Sequence, residues 1–186
     1  MAPVAIGVGD DAGAEGRGVL ASGDPGDASE VVTLVPGTGA SMETIDRSVE
    51  RAAAVCEERG GRGSGDDEGE KRCVSIAWMD YEAPETIPAA ALDRGRAEDA
   101  APRLREFQDG LREMTDGRLG AIGYSYGGVA LGLAAGGDGL SADALAFVAA
   151  PGVGAEHASD LTLRDGEGAR REGGRESVSA VASRWD

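Results

Sequence analysis

Four short apolar runs, each followed by a glycine- or proline-containing segment, constrain the fold more than any other feature of this chain. They are 31–35 (VVTLV), 73–78 (CVSIAW), 119–123 (LGAIG) and 144–149 (ALAFVA). Continuous runs of this length, rich in β-branched residues or alanine, suit strands buried on both faces of a parallel sheet. Helical patterns lie between them. In 43–59, Ile45, Val49, Ala52, Ala53 and Cys56 share one face. In 100–114, Leu104, Phe107, Leu111 and Met114 do the same, with Pro102 in the first turn, where it is tolerated. A third pattern, 129–135, follows the third run directly. Strand and helix in alternation predict an α/β chain, doubly wound, with a mostly parallel sheet flanked by helices. Two weaker runs, 4–8 and 18–21, predict a hairpin ahead of these units.

The 186 residues allow one sizeable hydrophobic core. Acidic residues outnumber basic ones 34 to 18, for a net charge of −16. That balance repels a phosphate backbone and an anionic membrane surface, so neither nucleic acid nor membrane is an expected partner. No apolar run reaches the ~18 residues of a membrane span. The start, MAPVAIGVGDDAGAEG, lacks a basic stretch ahead of its short apolar run, so the cytoplasm is the expected address. In that reducing setting Cys56 and Cys73 are expected to be free thiols. One histidine and two cysteines cannot make an ordinary structural zinc site. No metal or other cofactor is expected. The insertion 60–70 (GGRGSGDDEGE) reads as a mobile surface loop, and 164–186 as a polar, disordered tail.

Chemistry enters at the end of the third run. Gly123-Tyr124-Ser125-Tyr126-Gly127 is G-x-S-x-G between a buried strand and a small-residue helix, the pattern of a nucleophile elbow. With 31 glycines the bare pattern arises cheaply; its strand–turn–helix setting gives it weight. Such a turn lifts the Ser125 hydroxyl above the sheet, and the helix behind it aims N–H groups at developing negative charge. Pro36-Gly37-Thr38-Gly39, after the first parallel strand, would face the serine across the topological switch point. Its bland reading is a tight strand-to-helix turn. Its functional reading is an oxyanion loop, with the N–H of Thr38 and that of Tyr126 as the two donors. It is not followed by Gly-Lys-Ser/Thr, so a nucleotide is not expected there.

Taken together, Val35-Pro36-Gly37-Thr38-Gly39, Trp78-Met79-Asp80-Tyr81-Glu82-Ala83-Pro84, the Ser125 elbow and Pro151-Gly152-Val153-Gly154 with Ala158-Ser159-Asp160-Leu161 resemble an actinobacterial α/β-hydrolase family of uncharacterised function. The similarity runs from about Val4 to Leu163, with the hairpin 4–21 and the core 31–163 forming one domain, 1–163. It implies a serine hydrolase acting by acyl transfer on a small ester, thioester or amide, with Ser125 as nucleophile. Trp78 and Tyr81 would then stand near the mouth of the site, lining an apolar substrate pocket or, as such aromatics more often do, capping the core.

The triad is where the pattern breaks. The family's acid and histidine are expected after the last two strands of the sheet, and no buried strand is legible beyond Leu163. The last two strands therefore read as missing, as they would in a chain truncated or frame-shifted there. The single histidine, His157, reads as a surface or loop residue rather than the base, and the acids between it and Ser125 are Asp138, Asp143 and Glu156. An inactive α/β-hydrolase-like protein is the competing expectation. An acidic binding module would explain the composition but not the motifs.

Overall fold

The computed structural model describes residues 4–6, 17–60, 72–86, 94–166, 168–174 and 176–181. The expected hairpin is present: β1 (Val4–Ile6) pairs antiparallel with β2 (Gly18–Ala21). The four apolar runs form β3 (Glu30–Val35), β4 (Cys73–Met79), β5 (Arg118–Tyr124) and β7 (Ala144–Val148), all mutually parallel. Between them run α1 (Ile45–Gly60), α2 (Gly95–Met114) and α3 (Tyr126–Ala135). The seven-stranded sheet has the order β1-β2-β4-β3-β5-β7-β10, where β10 is Val178–Val181. A smaller sheet joins β6 (Leu140–Ser141), β8 (Thr162–Arg164) and β9 (Arg170–Glu172).

The period-two alternation of strand side chains divides the core between two faces. On one face of β4, Val74, Ile76 and Trp78 join the main cluster with Ala97, Leu104 and Leu111 of α2 and Leu131 of α3. On the other face, Ala77 and Met79 pack against Ile45 of α1. Helix α3 is apolar and almost wholly buried, which explains its lack of a polar stripe. The chain leaves β3 for α1 on one face and β5 for α3 on the other. The point where adjacent strands send their helices to opposite faces lies between β3 and β5.

Three expectations need correction. First, residues beyond Leu163 are not a featureless tail: β9 pairs with β8, and β10 pairs parallel with β7, Val181 opposite Val148. Ladder bonds are made by the backbone, so an edge strand needs little apolar sequence, and in β10 only Val178 packs against the core. One of the two strands that read as missing is therefore present. Second, Cys56 and Cys73 are joined in a disulfide rather than free. Helix α1 runs back along the sheet and brings its last turns to the start of β4, with the two Cα atoms 5.5 Å apart. Third, α2 starts at Gly95, so Pro102 lies inside the helix rather than in its first turn. Burial of Ala97, Ala100 and Ala101 offsets the loss of one backbone hydrogen bond. Residues 61–70 of the insertion lie outside the described residues.

Candidate active site

Strand β5 ends at Tyr124 and α3 begins at Tyr126, leaving Ser125 alone in the turn with φ 51° and ψ −124°. A positive φ on a residue with a side chain costs on the order of 1–3 kcal/mol and needs surroundings that enforce it. The glycines two positions away supply them. A Cβ on Gly123 would lie 2.5 Å from the Cα of Gly128, and one on Gly127 would strike the Val35 and Pro36 carbonyls. Only hydrogen fits where strand, helix and the end of β3 converge. The turn is pinned by the Ser125 N–H donating to the Val148 carbonyl at 2.9 Å and the Gly128 N–H donating to the Ser125 carbonyl at 2.9 Å. The Ser125 Oγ has no hydrogen-bond partner among the described residues. Ala149, directly after β7, is the other non-glycine residue with a positive φ among those described, also 51°, and it stands at the same edge of the sheet.

The loop after β3 lies directly against this elbow. A Cβ on Gly37 would fall 2.8 Å from the Cβ of Ser125, 2.9 Å from the Tyr126 nitrogen and 2.5 Å from the Tyr124 carbonyl oxygen. Within the loop, the Ala40 N–H donates to the Gly37 carbonyl at 3.1 Å and the Gly39 N–H to the Pro84 carbonyl at 2.9 Å. The Thr38 N–H makes no hydrogen bond among the described residues. Tyr126 opens α3, where a backbone N–H has no acceptor within its own helix.

Trp78 and Tyr81 sit in the core, 1% and 3% exposed, and Tyr81 also lines a recess whose other walls are mainly charged. Tyr81 stacks between Trp78, 5.9 Å away centroid to centroid, and Tyr126, 6.4 Å away. Its hydroxyl donates to the Pro36 carbonyl, tying the aromatic stack to the loop beside Ser125. Burial, reinforced by the neighbouring Tyr126, pushes the Tyr81 phenol far above its ordinary range, so it remains a neutral donor at any physiological pH. The Tyr126 hydroxyl in turn accepts from the Ala97 N–H at 3.1 Å, anchoring the elbow to α2.

The recess beyond Tyr81 is charged rather than apolar. Asp80 and Arg103 meet there at 3.6 Å, beside Arg17, Glu82 and Arg96. Burial raises the Asp80 carboxyl; Arg17 opposes the rise and Glu106 adds to it. A cavity of about 280 Å³ lies nearer the serine, walled by residues 36–40, by Tyr124, and by Arg47 and Arg51 of α1. These arginines were not singled out from sequence. Their spacing of four places them together on a helix, but only the path of the chain from β3 brings that helix over the loop.

The acids that precede His157 in sequence are scattered. Asp143 lies just before β7, at the edge opposite Ser125, where it binds Arg112 at 2.7 Å and the Leu119 N–H at 2.8 Å. Asp138 follows α3 at that same far edge and is exposed. His157 is exposed on the loop after β7, in a turn closed by its own N–H donating to Asp160 Oδ2 at 2.8 Å.

The sheet order, the strained serine between β5 and α3, and the facing loop after β3 are one arrangement. A family model described as alpha/beta hydrolase matches residues 10–183. The chain belongs to the α/β-hydrolase family. The match extends past Leu163 to include β9 and β10, so this α/β hydrolase carries its family resemblance through the segment that composition marks as tail. No match was found among curated proteins. Among the described residues of this hydrolase no helix is long and apolar enough to cross a membrane, and no group of histidine, cysteine and carboxylate side chains is placed to hold a metal.

Proposed function

We propose that this α/β hydrolase is a serine hydrolase that cleaves a small ester, thioester or amide by acyl transfer through Ser125. The observation that carries the reading is the enforced positive φ of Ser125, whose hydroxyl has no partner among the described residues and whose Cβ lies beside Gly37. Ser125 Oγ attacks the substrate carbonyl and its proton passes to a base. The oxyanion that forms is held by the N–H groups of Thr38 and Tyr126, each such donor contributing roughly 10²–10³ in rate. The leaving group takes the proton, and water then releases the acyl group from Ser125.

Ser125 also needs a base. His157 lies on the loop that leaves the Ser125 edge after β7, and β10 hands the chain out at that same edge. The exposure of His157 favours a second reading, a hydrolase fold without turnover, because serine at its free pKa is a weak nucleophile. Labelling by a fluorophosphonate probe decides between them. A serine hydrolase is labelled and loses the label in Ser125→Ala, and it loses most of its labelling rate in His157→Gln if that residue is the base. A folded wild-type chain that takes up no probe is the inactive form. The Cys56–Cys73 bridge fits an oxidising compartment better than the cytoplasm expected from the start of the chain.

A further inference from the structure

We infer that the cavity beside Ser125 is an anion-recognition subsite, and that the substrate is an ester or amide bearing a carboxylate or phosphate close to its scissile carbonyl. The inference deepens the serine-hydrolase reading and rests on it for the reaction, though not for the binding. Arg47 and Arg51 line this cavity opposite residues 37–39. The Arg51 guanidinium lies 5.1 Å from the ring centroid of Tyr124, the residue immediately before the nucleophile. This cation–π contact holds one positive charge over the approach to Ser125 without neutralising it.

Their lack of partners is the telling feature. Acids outnumber bases 34 to 18, and several arginines elsewhere meet a carboxylate: Arg72 with Asp27, Arg112 with Asp143, Arg164 with Asp109. Glu43 lies four residues before Arg47, in the turn ahead of α1, and Glu50 three residues after it on the helix, yet neither Arg47 nor Arg51 has an ion pair among the described residues. Two guanidiniums with no ion pair among the described residues, lining a cavity together with the glycine loop, Thr44 and Ser48, are suited to a planar or tetrahedral anion. The net charge of −16 opposes anions at long range. That opposition is screened within ~8 Å at physiological ionic strength, so selectivity rests with the local pair. A volume of about 280 Å³ suits a short acidic chain rather than a long acyl group.

The experiment compares 4-nitrophenyl hydrogen succinate with 4-nitrophenyl butyrate, which match in chain length and differ in charge. The wild-type chain should favour the anionic ester in kcat/KM by about tenfold or more, and the ratio should fall at least tenfold in R47Q/R51Q and shrink with added salt. A ratio near one in the wild type, or one unchanged in the double variant, overturns the inference. Binding is read separately, by thermal shift with monoethyl succinate and with inorganic phosphate. A rise in Tm in the wild type that is lost in R47Q/R51Q supports the subsite even if Ser125 proves unreactive. No rise with either probe at millimolar concentration overturns it, whatever the fate of the serine-hydrolase reading. A response to succinate but not phosphate assigns the group to a carboxylate, and the converse to a phosphate.

Discussion

The disulfide offers the sharpest test, because its contribution can be worked out from chain topology alone. Cys56 and Cys73 are 17 residues apart in sequence, and the bridge joins the end of α1 to the first residue of β4. In the unfolded chain it removes the closure entropy of that loop, which for a loop of this length amounts to about 3 kcal/mol at 25 °C. For a domain of this size each kcal/mol moves Tm by roughly 2–4 °C, so loss of the bridge should lower Tm by about 6–12 °C. The perturbation is Cys56→Ser with Cys73→Ser, paired with dithiothreitol treatment of the wild type. Melting is followed by circular dichroism, and thiols are counted with Ellman's reagent in denaturant without reductant. No free thiol is expected in the wild type, and variant and reduced protein should show the same drop in Tm. Two free thiols, or a drop of less than about 2 °C, would refute it and restore the free-cysteine reading.

Other predictions concern the site. Gly37→Ala places a methyl 2.5–2.9 Å from backbone atoms that have little room to move, so the loop must retreat by up to about 1 Å; we expect fluorophosphonate labelling of Ser125 to slow by about 10²-fold with a folded far-UV spectrum. An unchanged labelling rate would mean that this loop plays no part in the reaction. Tyr81→Phe leaves the Pro36 carbonyl without its donor in a buried setting, and should lower stability by about 1–3 kcal/mol in urea titration. Because the Tyr81 phenol stays protonated, that loss should not vary between pH 6 and 9.

The sheet and the strained turn at Ser125 were legible in the sequence for a physical reason. A strand buried on both faces must be continuously apolar, so β3, β4, β5 and β7 stand out one by one. A turn as tight as the one at Ser125 admits only hydrogen at Gly123 and Gly127, so it writes its own pattern of glycines. Other features depend on partners distant in sequence. Edge strand β10 is made by backbone bonds to β7 and needs no apolar pattern, so its residues read as tail. The Cys56–Cys73 bridge follows from where α1 ends in space, which the 17-residue spacing of the two cysteines does not reveal. The packing of Tyr81 against Tyr126 and its bond to the Pro36 carbonyl likewise join residues far apart in sequence. The sequence by itself determined the layers of the fold and the serine at its switch point. Tertiary structure alone decided what surrounds that serine, because a glycine loop, a buried tyrosine and two arginines share no local signal and meet only when the sheet is assembled.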